Sequence, residues 1–454
     1  MHILFYSCNS NSYRGQDFSI TSIKSCYEEW EEFWELHPDC KITLVTSLPG
    51  SFLLDLQGNE VKKKCSKVQY IILPAESSEE EIADRILQEK ADLVLAASFY
   101  EKPYDWLGMK DAIVKELLVE KGVKAFCNSL YSQINSFDKF RTHKVLEELN
   151  IKSADYVYVH HNLYQVAGNK KDILENVYKS AVLYQIKNLH YPLVIKDTVG
   201  LSSYSMEVVN TFAEAENYLK SRRFNSDRLF EEFLDGIQFG LEIEGCPGHY
   251  TILKPFIFSV NRFGLTSPKQ SIKIGPLTPP DFPRLEKDML RLAEKMEFYG
   301  RAQVDLVYRN SRWYVIEVNP RLSGMSTSYA ASRNKNFYQM IYDSYLPEEN
   351  CKEGSSKEKT FLTMNFKLPL LPEKELEKIS KLPHVKHLHQ IENLAHLQLR
   401  DAGYCEIILS GFDSISELQE YFNDFKNKNS SLVEEIFSQR AALLFKQINQ
   451  FIAM

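Results

Sequence analysis

The run Gly300-Arg301-Ala302-Gln303-Val304-Asp305-Leu306-Val307-Tyr308 leads through Arg309-Asn310-Ser311 into Arg312-Trp313-Tyr314-Val315-Ile316-Glu317-Val318-Asn319-Pro320-Arg321. Two stretches rich in β-formers flank a polar Asn-Ser pair, the pattern of a hairpin. With the turn centred on residue 311, Asp305 stands directly opposite Glu317. Alternation then sets Glu317, Asn319 and Arg321 on one face and Ile316, Val318 and Pro320 on the other. Like charges facing each other across a ladder are destabilising unless compensated. Two carboxylates and an amide oxygen are hard ligands, suited to Mg²⁺ with phosphate completing the shell. The competing reading is a solvated polar face that alternates by accident.

Working outward, Tyr191-Pro192-Leu193-Val194-Ile195-Lys196-Asp197-Thr198-Val199-Gly200-Leu201-Ser202-Ser203-Tyr204-Ser205 reads as a strand ending in a lysine and entering a loop with one glycine and three serines. Amides and hydroxyls in such a loop can cradle phosphate, with the lysine as a point charge. It is not a Walker loop, since no Gly-Lys-Ser/Thr occurs there. Leu229-Phe230-Glu231-Glu232-Phe233-Leu234-Asp235-Gly236 reads as a strand ending in acids and a glycine turn. Asp138-Lys139 falls at the start of a helix expected over Ser136–Leu149, with Ser136 as its N-cap.

Around these stretches, residues 1–128 alternate short apolar runs (His2–Tyr6, Ile42–Thr46, Val68–Pro74, Asp92–Ala97, Val123–Cys127) with helical patterns at Ile20–Trp34, Ser78–Glu89 and Trp106–Glu120. That alternation predicts a parallel sheet with right-handed crossovers. Cys8-Asn9-Ser10-Asn11-Ser12 replaces the Gly-x-Gly-x-x-Gly of a dinucleotide fold, so a nucleotide site is not expected in this part. Residues 129–350 read as mixed α+β with hairpins. The charged Glu348–Glu358 reads as a linker, and 351–454 as a small strand–helix–strand–strand–helix lobe.

Composition narrows the function classes. The 454 residues match the length of roughly three ordinary domains, and the net charge of −7 argues against general nucleic-acid binding. No apolar run approaches the ~20 residues that span a bilayer. The N-terminus lacks the marks of a signal peptide and reads as a first strand. Eight dispersed cysteines without a Cys-x-x-Cys pair suit a reducing, cytoplasmic setting. His384, His387 and His389 cluster without an acid or cysteine at ligand spacing, so solvated histidines are expected there, as at His160-His161. Glycine is scarce, yet half of the 18 lie between Gly200 and Gly324.

Taken together and in order, Asp138-Lys139, the Val194-Ile195-Lys196 strand with its Gly/Ser loop, Glu231-Glu232-Phe233-Leu234-x-Gly236, and Asp305 followed twelve positions on by Glu317-x-Asn319-x-Arg321 resemble the ATP-grasp superfamily over about 129–350. Domain order and length are most similar to the L-amino-acid ligases. The resemblance implies an α/β and α+β chain: a Rossmann-like pre-ATP-grasp domain at 1–128, an ATP-grasp domain at 129–350, and a C-terminal lobe at 351–454. It implies that Lys139 and Lys196 contact ATP phosphates under a closing loop with Gly200, Ser202 and Ser203. Glu231, Glu232, Phe233 and Leu234 would line the adenine, with Gln238 where many members carry a ribose-binding glutamate. Asp305, Glu317 and Asn319 would hold two Mg²⁺ ions, with Mn²⁺ as a substitute. Arg321 would steady the acyl phosphate, Ser323, Gly324 and Met325 would border the substrate, and Lys269 or Lys273 could reach the phosphates. Ser205 stands where the loop usually has a second glycine. The implied activity activates a carboxylate as an acyl phosphate and joins it to an amine, with small-molecule substrates, no nucleic-acid or membrane partner, and room for a homodimer. Two alternatives stay open: a biotin-carboxylase or carbamoyl-phosphate type of enzyme, and a non-catalytic ATP-binding regulator.

Overall fold

The computed structural model describes residues 1–8, 18–47, 53–57, 60–99, 106–166, 175–200, 206–260, 271–347, 359–393 and 403–452. Ser202, Ser203, Ser205, Lys269 and the expected linker at 348–358 lie outside the described residues.

The first expected element is present. Strands His2–Ser7, Lys41–Ser47, Val68–Leu73, Leu93–Ala96 and Ala125–Phe126 form a parallel five-stranded sheet, with His2–Ser7 at its centre. All six residues of His2–Ser7 are buried, as a strand covered on both faces requires. The helix expected over Ile20–Trp34 is shorter than its pattern suggested. Phe18–Ile23 is a strand paired with Val385–Asn393, and the helix begins only at Cys26. Ile20, Thr21 and Ile23 are β-branched and favour extended backbone. Ser25 and Glu28 then form a capping box that starts the helix.

A second, antiparallel sheet orders its strands as Glu207–Val209, Leu193–Asp197, Arg228–Glu232 and Tyr156–Val159. The third sheet is the largest. It runs Arg312–Asn319, Gly300–Arg309, Ile237–Cys246, Phe256–Phe258, Ile272–Gly275, Leu362–Leu368, Gly403–Phe412, Val385–Asn393 and Phe18–Ile23, ending on short strands at 55–57 and 60–63. Strands from the beginning, middle and end of the chain thus share one ladder, joined where Ile272–Gly275 pairs with Leu362–Leu368. One face is apolar: Phe239, Leu241, Ile257, Ile272, Ile274, Met364, Phe366, Ile407 and Leu409 pack on helices Phe282–Met296, Ile415–Lys428 and Glu435–Ile452. The other face alternates to polar and charged residues and carries the candidate site.

The helix expected over Ser136–Leu149 is two helices, Leu130–Phe137 and Lys139–Glu148. Asp138, not Ser136, is the N-cap of the second, its carboxylate accepting from the Phe140 amide at 2.9 Å. Ser136 is buried in the first helix, and its hydroxyl has no hydrogen-bond partner among the described residues.

Candidate active site

The acid hairpin forms with Asp305 paired to Glu317, by a different route from the one the sequence suggested. The turn is the two-residue Asn310-Ser311, with φ of 49° and 57°, so it centres between them. Unbroken register from Arg309↔Arg312 would place Asp305 opposite Ile316. A bulge between Asp305 and Leu306 absorbs Ile316 and returns Glu317 to the facing position. Gly236 lies against this hairpin, where a Cβ would meet the Tyr308 carbonyl at 2.6 Å.

Glu317 receives the Lys139 ammonium at 3.3 Å, and the same ammonium donates to the Gly200 carbonyl at 2.7 Å. Lys139 therefore links the hairpin to the start of the serine-rich loop. Burial first and then the Glu317 charge push the Asp305 carboxyl up to about 6, against Gln303, which donates to it at 2.7 Å, and the Lys273 and Arg321 charges. The Asn319 side-chain oxygen accepts from the Arg321 guanidinium at 3.1 Å, and Arg321 also donates to the Leu322 carbonyl at 3.2 Å.

The second sheet is tied to the hairpin through Lys139, whose amide donates to the Thr198 carbonyl at 2.8 Å. Lys196 donates to Glu231 at 2.6 Å, and the other Glu231 oxygen pairs with His143 Nε2 at 3.1 Å. Burial alone would raise the Glu231 carboxyl, but Lys196 and His143 outweigh it and hold it down at about 2. His143 is fixed by Ser153 at 3.0 Å and by stacking on Tyr156. Neither His143 nor Ser153 had a signal in the sequence. Glu232 points elsewhere, to His190 at 2.8 Å. The amides of Glu232 and Phe233 are bonded to Asp155 and Pro192, and Leu234 follows just beyond the strand. Gln238 is half-buried and shares a face with Gly240 and Asp305.

Ser323, expected at the substrate, is instead fully buried, donating to Glu242 at 2.7 Å. Ser326 joins it on Glu242 at 2.6 Å, and Arg301 binds both Glu242 and Glu244. Buried acids survive only when paired and hydrogen-bonded, and this cluster supplies both. Met325 is fully buried in an apolar cluster, whereas Gly324 stays partly open. Asn128 and Gln133 went unnoticed in the sequence, yet both donate to the Pro320 carbonyl, at 2.9 and 2.8 Å, next to Arg321. His387 and His389 are not solvated: both are half-buried on the polar face beside Glu406 and Lys367, and burial holds the His389 ring down at about 3. Among the described residues no three His, Cys, Asp or Glu side chains converge as a metal cage.

Residues 137–325 match the ATP-grasp domain family. The chain carries an ATP-grasp domain. Its matched span begins one residue before Asp138 and closes just after Arg321, enclosing every element of the acid hairpin and the lysine-bearing sheet. Three solved structures share the fold across nearly the whole chain. An L-amino acid ligase from Bacillus licheniformis is 19% identical, covers 94% of this chain and 97% of its own, and has a TM-score of 0.61. The biotin carboxylase domain of a Hydrogenobacter thermophilus 2-oxoglutarate carboxylase, holding MgADP and bicarbonate, is 14% identical, with 90% and 86% covered and a TM-score of 0.57. N5-carboxyaminoimidazole synthetase from Staphylococcus aureus is 12% identical, with 94% and 97% covered and a TM-score of 0.58. The ATP-grasp fold thus extends over both flanking segments. No helix among the described residues is long and apolar enough to cross a membrane.

Proposed function

We propose that this ATP-grasp chain is a carboxylate–amine ligase, using ATP to activate an acid as an acyl phosphate that an amine then captures. The observation that carries the reading is the hairpin pair Asp305–Glu317 with the Lys139 ammonium on Glu317 at 3.3 Å. Asp305, Glu317 and Asn319 present hard oxygens, and the raised Asp305 carboxyl marks a pair of acids short of positive charge; both features suit Mg²⁺. Bound there as two ions, with Mn²⁺ as a substitute, the metal would neutralise the phosphoryl group during transfer.

The chain's own residues do the rest. Lys139 and Lys196 hold ATP phosphates, while Glu231 fixes the Lys196 ammonium and His143 fixes Glu231. The substrate carboxylate attacks the γ-phosphorus in line and ADP leaves. Arg321, tethered to Asn319 and Leu322, stabilises the acyl phosphate and the oxyanion formed when the amine attacks. Loss of the amine proton and departure of phosphate complete the amide.

The test is phosphate release from ATP and Mg²⁺ in the presence of amino-acid pairs, with bicarbonate as a separate arm because a carboxylase shares the fold. Amine-dependent release supports the ligase, and release that needs bicarbonate alone overturns it. Glu317→Gln is expected to lower turnover on the order of 100-fold or more, and unchanged turnover would remove the metal-site assignment.

A further inference from the structure

Across the polar face of the large sheet, one row of residues leads away from the acid hairpin. Glu317 pairs with Asp305, Asp305 with Gly240, Gly240 with Phe256; Phe258 pairs with Lys273, and Lys273 with Asn365. The Lys273 side chain is mostly enclosed, yet its ammonium meets no carboxylate within ion-pair distance among the described residues. Its near neighbours are the Phe258 ring, whose centroid lies 5.3 Å away, and Gly324. Glu406, Asp305 and Glu242 act on it only at longer range. Glu406 is engaged by Asn365 at 2.7 Å and by Lys367 at 3.8 Å. Burial and the Lys367 charge lower the Lys273 ammonium from its ordinary value, the response of a cation lacking its counterion. An enclosed unpaired charge is costly, and sites that keep one keep it for a ligand.

Gly324 sharpens the point. Its backbone is not left-handed, and among the described residues a Cβ placed there would have just one neighbour within 4 Å, the Lys273 ammonium at 3.7 Å. Glycine here leaves open the space in front of the ammonium, three residues after Arg321. Along the sheet that space lies on the far side of Asp305 from the Glu317 strand, which Lys139 reaches. Two strands separate the Asp305 strand from the Lys273 strand, or about 14 Å between the backbones at the usual spacing. The Lys273 ammonium stands over Phe258, on the adjoining strand nearer to Asp305, and beside Gly324. A carboxylate reacting beside Arg321 and an anion at Lys273 are therefore a few bonds apart, the span of one small molecule.

We infer that Lys273 is a specificity-determining residue that selects an acid carrying a second anionic group, such as an acidic amino acid or a short dicarboxylate. This rests on the ligase reading above and names the substrate class of the same site.

The full chain is assayed with Mg²⁺, ATP and hydroxylamine, which traps acyl phosphates as hydroxamates and replaces the unidentified amine. Isosteric acids are compared, glutamate against glutamine and aspartate against asparagine. The anionic member of a pair is expected to exceed its amide in kcat/KM by about tenfold or more, the worth of one charge-assisted contact. Lys273→Met should bring that ratio close to one by raising KM for the acid while leaving KM for ATP unchanged. Lys273→Arg should retain the preference, which separates lost charge from lost folding. An unchanged ratio in Lys273→Met, or a rise confined to KM for ATP, overturns the inference and leaves the ligase reading standing. If no acid yields hydroxamate, the ligase reading fails, and calorimetry decides the pocket independently. Glutamate must then bind the chain loaded with Mg²⁺ and a non-hydrolysable ATP analogue more tightly than glutamine does, and lose that margin in Lys273→Met. Equal or absent binding overturns the inference.

Discussion

Two carboxyl groups in the cleft are displaced in opposite directions, and the signs lead to separate measurements. Glu231 is held at about 2 by Lys196 and His143, so its pairing stabilises the fold above the ordinary carboxylate range and is lost as the pH falls from that range down through about 2. Lys196→Met leaves Glu231 buried with His143 alone. Breaking a buried pair costs about 3–5 kcal/mol. The melting temperature is expected to drop by several degrees at pH 8 and by less at pH 5, where Glu231, no longer paired with Lys196, takes up a proton in the variant; an equal drop at both would contradict the pairing. Asp305 behaves in the reverse sense. Its carboxyl is raised to about 6, so its ionisation costs stability above that pH, and the cost fades as the pH falls towards the unfolded value. Asp305→Asn is expected to melt higher than the wild type at pH 7.5 without Mg²⁺, with the gap narrowing towards pH 5. Added Mg²⁺ and ADP should reverse the order, stabilising the wild type more.

At the scale of elements, the hairpin shows how far sequence reasoning reaches. Period-2 alternation put Glu317, Asn319 and Arg321 together, and the facing of Asp305 and Glu317 was correct. The turn centre was one half-residue off, and the Ile316 bulge made up the difference. Bulges leave no signature in alternation, because the extra residue only shifts its phase. The parallel sheet at the start of the chain was equally legible, since apolar runs alternated there with helical patterns. The order of strands in the large sheet was not. Lys273, Glu406 and His389 lie on neighbouring or nearby strands, but their positions are far apart in sequence, so only tertiary pairing brings them to one face. Gly240 belongs to the same lesson. It pairs with Asp305, and a Cβ there would collide with Phe258 and approach the Met325 sulfur at 2.8 Å. Gly240→Ala is expected to cost about 1–3 kcal/mol by overpacking. Displacing the Phe258 ring beneath Lys273 should also raise KM for the acid more than KM for ATP. Steady-state kinetics alongside thermal melts checks both, and a change in KM for ATP alone would contradict the placement.

Over the whole molecule, the acid hairpin is held from outside the matched ATP-grasp span. Asn128 follows the last strand of the N-terminal sheet and is buried. Its amide nitrogen donates to the carbonyls of Arg301 at 3.0 Å and Pro320 at 2.9 Å, and its oxygen accepts from the Tyr299 amide at 2.8 Å. One side chain therefore ties the beginning of the Asp305 strand to the end of the Glu317 strand. Gln133 adds a second donor to Pro320. Further ties run in parallel: Trp30 stacks on Tyr338 with centroids 3.5 Å apart, and the Tyr345 hydroxyl donates to the Ala96 carbonyl at 2.9 Å. Of the two lysines, Lys196 is anchored away from the hairpin, on Glu231, whereas Lys139 joins Gly200 to Glu317. Removing the Asn128 amide should therefore move Arg321 and the acid pair while leaving the Lys196–Glu231 contact in place. Asn128→Ala is expected to lower kcat by about tenfold or more, because small misplacement of a positioned group is costly, with a smaller change in KM for ATP. Asn128→Asp keeps the acceptor for Tyr299 but loses both donors, so it should resemble the alanine variant in kcat. Recovery of wild-type kcat in Asn128→Asp would mean that the Tyr299 contact alone matters, and that the Pro320 clamp does not position Arg321.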